Sequence, residues 1–366
     1  MAGTKPIRRI AITTGGGDAP GLNAVIRAAV RAAARRGWEV LGIERGYEGA
    51  LTGKGLVVLD RDKVRGLLGL GGTILGTTNR GDPFHYPVKT GGRVVETDLS
   101  EKVLRNLKAA RVDALIAVGG DGSLAIAARF AEKGLRVVGV PKTIDNDLEG
   151  TVVTFGFDTA VATATDAIDK LHSTAFSHER VMVVELMGRY AGWIALHAGV
   201  AGGADVILIP ELPFSLDSVC AAVEARYASG RRFAIVVAAE GAVPAGGGTF
   251  VKKGKEPGRE HVRLGGIAEW LAREIETRTG RESRSLVLGH LQRGGSPTTF
   301  DRLIATRFGA AAVRFLEEGR HGCMVALDPP RVTAVPLSAV VGRLKRVPLD
   351  GDIVVSARDM GICMGD

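Results

Sequence analysis

The sequence of 366 residues is poor in the side chains that build zinc centres and disulfide frameworks. It contains three widely separated cysteines, Cys220, Cys323 and Cys363, and seven histidines. This spacing argues against a zinc finger or a disulfide-stapled domain and is typical of proteins from a reducing compartment. The fourteen prolines follow no Gly-X-Y period, which excludes collagen. A hydrophobic fraction of 45% with 24% charged residues is that of an ordinary globular chain.

Long apolar runs are also missing. The most apolar stretch, residues 193–210, contains His197, Asp205 and several glycines, so the sequence predicts no membrane span and no membrane partner. The first six residues lack the apolar core of a secretory signal. The net charge of +8 comes from dispersed basic residues without a recognition motif, so nucleic acid is not an expected partner. We therefore expect a cytoplasmic protein.

Glycine is abundant, with 51 residues, and it clusters directly after short apolar runs. Strand-like runs, glycine turns and segments with helical spacing alternate, which favours an α/β fold with mainly parallel sheets covered on both faces. Residues 242–263 are predicted to form a surface excursion, and Asp158 is predicted to be a helix N-cap. The predicted strands are residues 10–14, 114–118, 136–140, 181–186, 206–209, 233–238 and 285–288, and the predicted helices are residues 22–36, 124–133, 158–171, 218–228, 267–277 and 300–317.

Two glycine-rich turns follow predicted strands, at the sheet edge where α/β proteins bind ligands. The turn at residues 15–18 departs from both the GxxxxGK[ST] and the G-x-G-x-x-G patterns, so neither a P-loop NTPase nor a dinucleotide dehydrogenase is favoured. The turn Gly119-Gly120-Asp121-Gly122-Ser123 carries a carboxylate, which beside a phosphate requires a cation such as Mg²⁺. A helix N-cap is the alternative role for Asp121.

A third turn, residues 141–147, carries two carboxylates two residues apart. If the loop is extended, Asp145 and Asp147 project to the same side, and we expect Asp121 in the same crevice because it lies one strand–helix unit upstream. Phosphoryl transfer to a hydroxyl needs a proton acceptor and neutralised charge. Asp145 is therefore a candidate base, and Asp121 and Asp147 are candidate Mg²⁺ ligands. A loop that bonds its own backbone is the structural alternative.

Basic side chains flank two other predicted strands and suit a phosphorylated acceptor, because a guanidinium group binds phosphate as a fork. Arg180 and Arg284 precede strands 181–186 and 285–288, and Arg189, His290 and Arg293 follow them. Glu240 follows another strand and is suited to accept hydrogen bonds from sugar hydroxyls.

Five motifs together resemble the 6-phosphofructokinase family. They are Thr14-Gly-Gly-Gly-Asp-Ala-Pro-Gly-Leu-Asn23, residues 119–123, residues 141–147, Met187-Gly-Arg-Tyr-Ala-Gly192 and Leu288-Gly-His-Leu-Gln-Arg-Gly-Gly-Ser-Pro297. The resemblance runs from about residue 8 to residue 310, in order and with family spacing. It implies two interleaved Rossmann-like, three-layer domains with the active site in the cleft between them. The donor-binding domain would comprise residues 1–156 and about 292–341, and the sugar-phosphate-binding domain about 157–291 and 342–366.

The resemblance also implies Mg²⁺-dependent transfer of the γ-phosphoryl group of ATP to the 1-hydroxyl of fructose 6-phosphate. The catalytic residues would be Asp145 as base with Lys142, Thr143 and Arg189, and the Mg²⁺ ligands Asp121 and Asp147. The donor would bind Gly17, Arg80, Gly120, Asp121, Gly122 and Ser123. The sugar phosphate would bind Thr143, Ile144, Asp145, Arg180, Met187, Gly188, Arg189, Glu240, Arg284, His290, Leu291, Gln292 and Arg293. In the family, Arg180 and Arg284 match arginines that reach a neighbouring subunit's site, which implies a homodimer or homotetramer.

Two positions bear on donor choice. Gly122 together with Lys142 is a combination typical of the family's mixed-substrate group. Glycine at position 122 leaves space for the α-phosphate of ATP, and Lys142 can neutralise the leaving group of either donor. We therefore expect ATP, with a pyrophosphate-dependent enzyme as the alternative.

More distant alternatives are a kinase acting on NAD or on lipids and a non-catalytic metabolite-binding regulator. The segments at residues 143–147 and 290–295 argue against the first, and the intact aspartates argue against the second. The family's effector site is matched only in part. Arg27, Arg31 and Arg61 are present, whereas His172 and Ser229 stand where regulated bacterial members usually have basic residues.

Overall fold

The computed structural model describes residues 6–78, 81–253 and 263–366. The strands are β1 (Arg9–Thr14), β2 (Glu39–Ile43), β3 (Leu56–Leu59), β4 (Tyr86–Thr90), β5 (Arg93–Thr97), β6 (Ala114–Gly119), β7 (Val137–Pro141), β8 (Val181–Leu186), β9 (Val206–Leu208), β10 (Ala234–Ala239), β11 (Val251–Lys253), β12 (Arg263–Leu264), β13 (Ser283–Val287), β14 (Cys323–Asp328) and β15 (Arg331–Pro336). The helices are α1 (Leu22–Ala34), α2 (Glu48–Thr52), α3 (Ser100–Ala109), α4 (Asp121–Glu132), α5 (Phe157–His178), α6 (Trp193–Ala201), α7 (Leu216–Ala228), α8 (Ile267–Thr279), α9 (Thr299–Glu317) and α10 (Asp352–Asp359).

The larger sheet has the order β15-β14-β7-β6-β1-β2-β3. Its inner strands pair in parallel, and only β3 and β15 pair antiparallel with their neighbours. Strands buried on both faces need near-continuous apolar runs, and every residue of β6 and β7 is buried. Because β1, β6 and β7 are neighbours, the turns that follow them lie side by side at one edge of the sheet.

The smaller sheet, β13-β8-β10-β9, is parallel throughout. Side chains of α7 and α8 pack on one face and side chains of α5 and α6 on the other, which makes three layers. The prediction of α/β architecture with mainly parallel sheets is confirmed. None of the described helices combines the length and apolar character needed to cross a membrane.

Helices α5 and α9 begin side by side and satisfy each other's first turns. Asp301, fully buried in α9, accepts hydrogen bonds from the amides of Gly156 (2.9 Å) and Thr159 (2.8 Å) and from the Thr159 hydroxyl (2.6 Å). In return the Thr298 hydroxyl donates to Asp158 Oδ2 (2.5 Å). The prediction that Asp158 is an N-cap is wrong, because Gly156, with φ 96°, holds that position and Asp158 lies in the first turn.

Antiparallel strands account for most of the elements that the sequence pattern misses. Strands β4 and β5 form a hairpin that turns at Gly91 and Gly92, and β2–β3 and β14–β15 are further antiparallel pairs, whereas the sequence pattern favoured parallel strands. In the predicted excursion at residues 242–263, β11 pairs with β12, and residues 254–262 lie outside the described ranges. The domain boundaries stay a prediction.

Candidate active site

The turns after β1, β6 and β7 are joined by main-chain hydrogen bonds. Gly15 N donates to Val118 O (2.9 Å) and Lys142 N donates to Gly119 O (3.0 Å). A Cβ atom at Gly15 would lie 2.6 Å from Ser123 Oγ, so the close approach of the first two turns requires glycine. Gly120 stands at the N-cap of α4, whose first amides have no partner within the helix and face this edge. The predicted donor residues Gly17, Gly120, Asp121, Gly122 and Ser123 thus belong to one cluster of turns.

Lys142 is the buried cation beneath this cluster. Its side chain is 3% exposed, and Nζ donates to Gly17 O. Burial, reinforced by the positive charge of Arg293, lowers the pKa of Lys142 to about 7, while the charges of Asp18, Asp145 and Asp147 act in the opposite direction. An amine with this pKa responds readily to an anion placed beside it.

The turn after β7 presents the predicted base. Thr143 Oγ1 accepts a hydrogen bond from Asp145 N (3.1 Å), which fixes the start of the turn. The expectation of an extended loop is wrong, because Asn146 has a left-handed backbone conformation, with φ 52°, and turns the chain between the two carboxylates. Burial, together with the neighbouring charge of Asp145 and a smaller effect of Asp121, nevertheless raises the pKa of Asp147. The three aspartates therefore interact, as predicted. Ile144 is fully buried and faces the core.

A metal ion at this position would share its coordination with a ligand. Within residues 6–78, 81–253 and 263–366, no group of three or more His, Cys, Asp or Glu side chains is arranged to hold a metal. Mg²⁺ in phosphoryl-transfer sites is typically bound by one or two carboxylates, with waters and substrate phosphates completing its shell. The exposed carboxylate of Asp121 and the half-buried carboxylate of Asp147 fit that requirement.

The acceptor side of the site is built where β8 and β10 end. Glu240 N donates to Leu186 O (2.8 Å), and Gly241 N donates to Gly188 O (3.1 Å). Burial, followed by the negative charge of Asp145, raises the pKa of Glu240 to about 7, whereas the charges of Arg189 and Arg293 lower it. Glu240 therefore lies near enough to the predicted base and to both predicted phosphate-binding arginines for their charges to act on it. Met187, Gly188 and Arg189 stand in the turn beside it.

The short 3-10 helix Gly289–Arg293 closes the site from the other side. Arg293 Nη1 donates to Asp18 O (3.0 Å), so this guanidinium reaches the turn after β1. His290 and Leu291 are exposed. Gln292 is fully buried, and its Nε2 donates to Gly289 O (3.2 Å), which supports the segment from beneath.

Two predicted substrate-binding arginines lie elsewhere. Arg180 Nη2 and Arg284 Nη2 both pair with Glu282 Oε1, at 2.9 and 2.5 Å. The prediction that Arg284 precedes its strand is wrong, because Arg284 lies within β13. At about 3.3 Å per residue, the six residues of β8 separate Arg180 by about 20 Å from the strand end that carries the site. Arg80 lies outside the described residues.

The residues matched to the effector site separate into two groups. Arg27, Arg31 and Arg61 line a cavity of about 320 Å³ together with Arg35. By contrast, His172 and Ser229 bond to carbonyl groups of their own surroundings, Nε2 to Gly202 O (2.6 Å) and Oγ to Arg226 O (2.7 Å).

Sequence reasoning misses the side chains that support the base from behind. Lys345 Nζ donates to Asn146 Oδ1 (3.0 Å) and Thr154 N donates to the same oxygen (3.1 Å). No motif marks Lys345, because it is far from the turn in the chain and stands among other basic residues.

Comparison with known proteins places this arrangement in a family. The phosphofructokinase family model matches residues 9–316. The ATP-dependent 6-phosphofructokinase of Chloroflexus aggregans is 52% identical over 360 residues, covering 98% of each chain. The pyrophosphate–fructose 6-phosphate 1-phosphotransferase of Amycolatopsis methanolica is also 52% identical, over 93% of this chain and 96% of its own.

The fold agrees with this assignment. A crystal structure of Pichia pastoris phosphofructokinase in the T-state matches with a TM-score of 0.79 and 33% identity. The match covers 92% of this chain but 35% of that chain, so this chain spans about a third of the yeast subunit's length. Together, the motifs, the arrangement of the site and these relatives identify the chain as a member of the phosphofructokinase family.

Proposed function

We propose that the protein is a 6-phosphofructokinase that transfers the γ-phosphoryl group of ATP to the 1-hydroxyl of fructose 6-phosphate, giving fructose 1,6-bisphosphate. One observation carries the proposal: Asp145 and Arg293, which belong to different turns, act on the same groups. Both charges perturb the pKa of Lys142 and the pKa of Glu240. The geometry agrees, because Arg293 Nη1 donates to Asp18 O and Lys142 Nζ donates to Gly17 O, so the turn of the base and the arginine meet at the glycine turn after β1, which suits a polyphosphate.

The acceptor would lie between Glu240 and the two arginines. The guanidinium groups of Arg189 and Arg293 suit the 6-phosphate, with the exposed His290 beside them. The carboxylate of Glu240 suits sugar hydroxyls, and the turn at Met187 and Gly188 would supply main-chain contacts. The exposed Leu291 would contribute to the shape of this subsite, and the fully buried Gln292 and Ile144 would support its walls from within the core.

The base would be Asp145. Its main-chain amide is held by Thr143 and its neighbours are partly buried carboxylates, so the side chain can accept the proton of the 1-hydroxyl as the oxygen attacks. Lys142, beneath Gly17, would neutralise charge that develops on the leaving group.

Asp121 and Asp147 would hold Mg²⁺, which neutralises charge on the polyphosphate. The physical support is the raised pKa of Asp147, because carboxylates gathered without a cation destabilise one another. The donor itself would rest on Gly17, the α4 N-terminus from Gly120 to Ser123, and Arg80.

Pyrophosphate is the second candidate donor, because a relative with that activity is as similar, at 52% identity, as a relative with ATP activity. Glycine at position 122, the second residue of α4, favours ATP, since it adds neither bulk nor charge where the α-phosphate would lie.

The active form would be a homodimer or a homotetramer. Arg180 and Arg284 lie towards the amino-terminal ends of β8 and β13, about 20 Å and about 10 Å from the carboxyl ends of these strands, and both pair with Glu282, so we expect them to serve a phosphate in a neighbouring subunit's site. The cytoplasm remains the predicted location.

The deciding experiment compares initial rates with ATP and with pyrophosphate at saturating fructose 6-phosphate and Mg²⁺. We expect faster turnover with ATP. A higher kcat/KM with pyrophosphate would reverse the donor, and turnover with NAD as acceptor would indicate a different kinase. Binding of fructose 6-phosphate without turnover with either donor would indicate a regulator.

A further inference from the structure

The short segment of residues 342–347 contacts the turns that follow β6 and β7 and, through Glu211, the turn that precedes α6. Gly342 N donates to Asp121 Oδ1 (3.0 Å). Lys345 N donates to Asp147 O (2.9 Å). Val347 N donates to Glu211 Oε1 (2.8 Å), a side chain that also accepts from the Gly192 amide. We call residues 342–347 the crossing segment, because it connects turns that follow strands of both sheets.

Within the crossing segment, the side chain of Lys345 makes three hydrogen bonds to the loop that follows the predicted base. Its Nζ donates to Asn146 Oδ1 (3.0 Å), Thr151 O (2.9 Å) and Val152 O (3.0 Å). A lysine ammonium group has three donors, so the three bonds use its full capacity. A charged group can be withdrawn from water only where such partners replace its hydration, and the loop from Asn146 to Val152 supplies them.

Asn146 is the residue through which Lys345 acts on the base. It is 4% exposed and holds a left-handed backbone conformation, with φ 52°. Its side-chain oxygen accepts from Lys345 Nζ and from Thr154 N, which uses both lone pairs of the amide oxygen. Because Asn146 separates Asp145 from Asp147, the conformation held in this way determines where both carboxylates point.

Lys345 also contacts Trp193, which lies next to the turn of the predicted sugar-phosphate site. Trp193 Nε1 donates to Lys345 O (2.9 Å), and Lys345 Nζ lies 5.7 Å from the centre of the Trp193 ring. Trp193 begins α6, directly after the turn that contains Met187 to Gly192. One residue therefore connects the turn of the base with the turn of the predicted sugar-phosphate site.

We propose that Lys345 is a positioning residue for phosphoryl transfer: it holds Asn146 so that Asp145 faces the acceptor hydroxyl and Asp147 faces the donor. The inference rests on the proposed function. All three donors of Lys345 Nζ bind groups of the protein itself, so loss of this side chain should lower kcat and leave both KM values nearly unchanged. Misplacement of a reacting group by about 1 Å can cost about 100-fold in rate, and we expect a decrease in kcat of about 10- to 100-fold.

The test is Lys345→Met, which keeps much of the side-chain length and removes the ammonium group. Its matched control is Lys133→Met, at the far end of α4, where the lysine pairs with Glu101 on the surface. Steady-state kcat and the KM values for fructose 6-phosphate and for the donor are measured with both, normalised to folded protein. The inference predicts the decrease in kcat for Lys345→Met with KM values within about threefold, and no change for the control. A merely structural role predicts less folded protein with an unchanged kcat, which would overturn the inference.

A second variant covers the case in which Lys345→Met does not fold. Trp193→Phe keeps an aromatic side chain and removes the indole N–H that donates to Lys345 O, together with part of the ring volume. We expect its kcat to fall about 3- to 10-fold with unchanged KM values. Wild-type kcat in Trp193→Phe, or a change in KM alone, would overturn the inference while leaving the proposed function intact. Absence of turnover in the wild-type protein would instead overturn the proposed function, and this inference with it.

Discussion

The guanidinium group of Arg293 donates to the carbonyl oxygen of Asp18 over 3.0 Å, although 275 positions separate the two residues in the chain. The guanidinium group also packs closely against Gly17, where an added Cβ atom would lie 2.8 Å from Arg293 Nη1. The predicted donor turn and the predicted phosphate-binding arginine therefore share one wall of the site.

Arg293→Ala should affect the KM values of the two substrates differently. We expect the KM for fructose 6-phosphate to rise about 10- to 100-fold, because a buried charge-assisted bond to phosphate is lost, while the donor KM changes less than about threefold. Initial rates with each substrate varied in turn measure both values. Arg320→Ala, which removes an exposed arginine paired with Glu318, is the control. A larger effect on the donor KM would mean that the subsites are exchanged.

Asp145→Asn should abolish general base catalysis while the site still binds its substrates. The amide cannot accept the hydroxyl proton, and we expect kcat to fall about 10²- to 10⁴-fold. Rapid-quench and equilibrium binding measurements with fructose 6-phosphate distinguish loss of chemistry from loss of binding. Asp169→Asn, on the exposed face of α5, makes the same chemical change away from the site. Near-normal turnover in Asp145→Asn would remove this residue as the base.

Lys142 should take up a proton when the donor binds. Its pKa in the ligand-free protein is lowered to about 7, so at pH 8.5 the amine is mostly neutral. A polyphosphate beside it favours the charged form and raises the pKa again, so binding draws up to about one proton from solution. Calorimetry in two buffers of different ionisation enthalpy measures this number.

Lys142→Arg is the matched variant, because its guanidinium group stays charged at every accessible pH. It should bind the donor with fewer protons taken up than the wild type. Equal proton uptake in the two proteins would show that another group titrates and that Lys142 is charged before the donor arrives.

Gly122→Asp should change the donor. An added carboxylate in the first turn of α4 repels the α-phosphate of ATP and occupies its space, so we expect kcat/KM for ATP to fall at least about tenfold and kcat/KM for pyrophosphate to fall much less. The ratio of the two initial rates is the measurement. Unaffected ATP turnover would end the argument that space at position 122 determines donor choice.

Asp301→Asn should destabilise the start of α5. The side-chain NH2 group of the new asparagine would face the main-chain N–H of Thr159, so that N–H loses its acceptor. Loss of one buried acceptor lowers the free energy of unfolding by about 1–3 kcal/mol. Thermal unfolding of this variant, compared with Asp169→Asn, measures the effect. An unchanged unfolding temperature would show that the paired helix ends contribute little.

The difference in stability between the wild type and Asp301→Asn should depend on pH, and the pKa of Asp301 fixes the sign of this dependence. Burial raises the pKa of Asp301 from 3.8 to about 6, despite the hydrogen bonds that lower it. The folded protein therefore holds this proton more tightly than the unfolded chain. The contribution of the group to stability is fully present below about pH 4 and is lost as the pH rises through 6. The advantage of the wild type over Asp301→Asn should shrink from pH 4.5 to pH 7.5, and a growing advantage would contradict the raised pKa.

The sequence predicted the parallel part of the fold because buried strands leave a strong pattern. The apolar runs of β6, β7, β8 and β10 identify these strands to within one or two residues. Their order was not needed to predict the site, since the carboxyl ends of parallel strands meet at one edge. The edge strands β3 and β15 are mostly only partly buried, and a short apolar run alone does not identify a strand, so nothing local distinguishes them.

The predictions for individual side chains depended on how far their contacts reach. Lys142, Asp145 and Asp147 act within one turn, and the structure places them together. Asn146 was expected only to continue an extended loop, because a left-handed conformation follows from contacts with Thr154 and Lys345 that no nearby residue signals. Hydrogen bonds between residues that are far apart in the chain produce no pattern that a single sequence can show.

The crossing segment also has a consequence for biosynthesis. Residues 342–347 follow α9 and β15, so they leave the ribosome after every other element of the site. A nascent chain that has emerged only as far as β15 already contains both glycine turns and Arg293, yet its base turn still lacks Lys345. Catalytic competence would then arise only after Lys345 has emerged and joined the turn of the base.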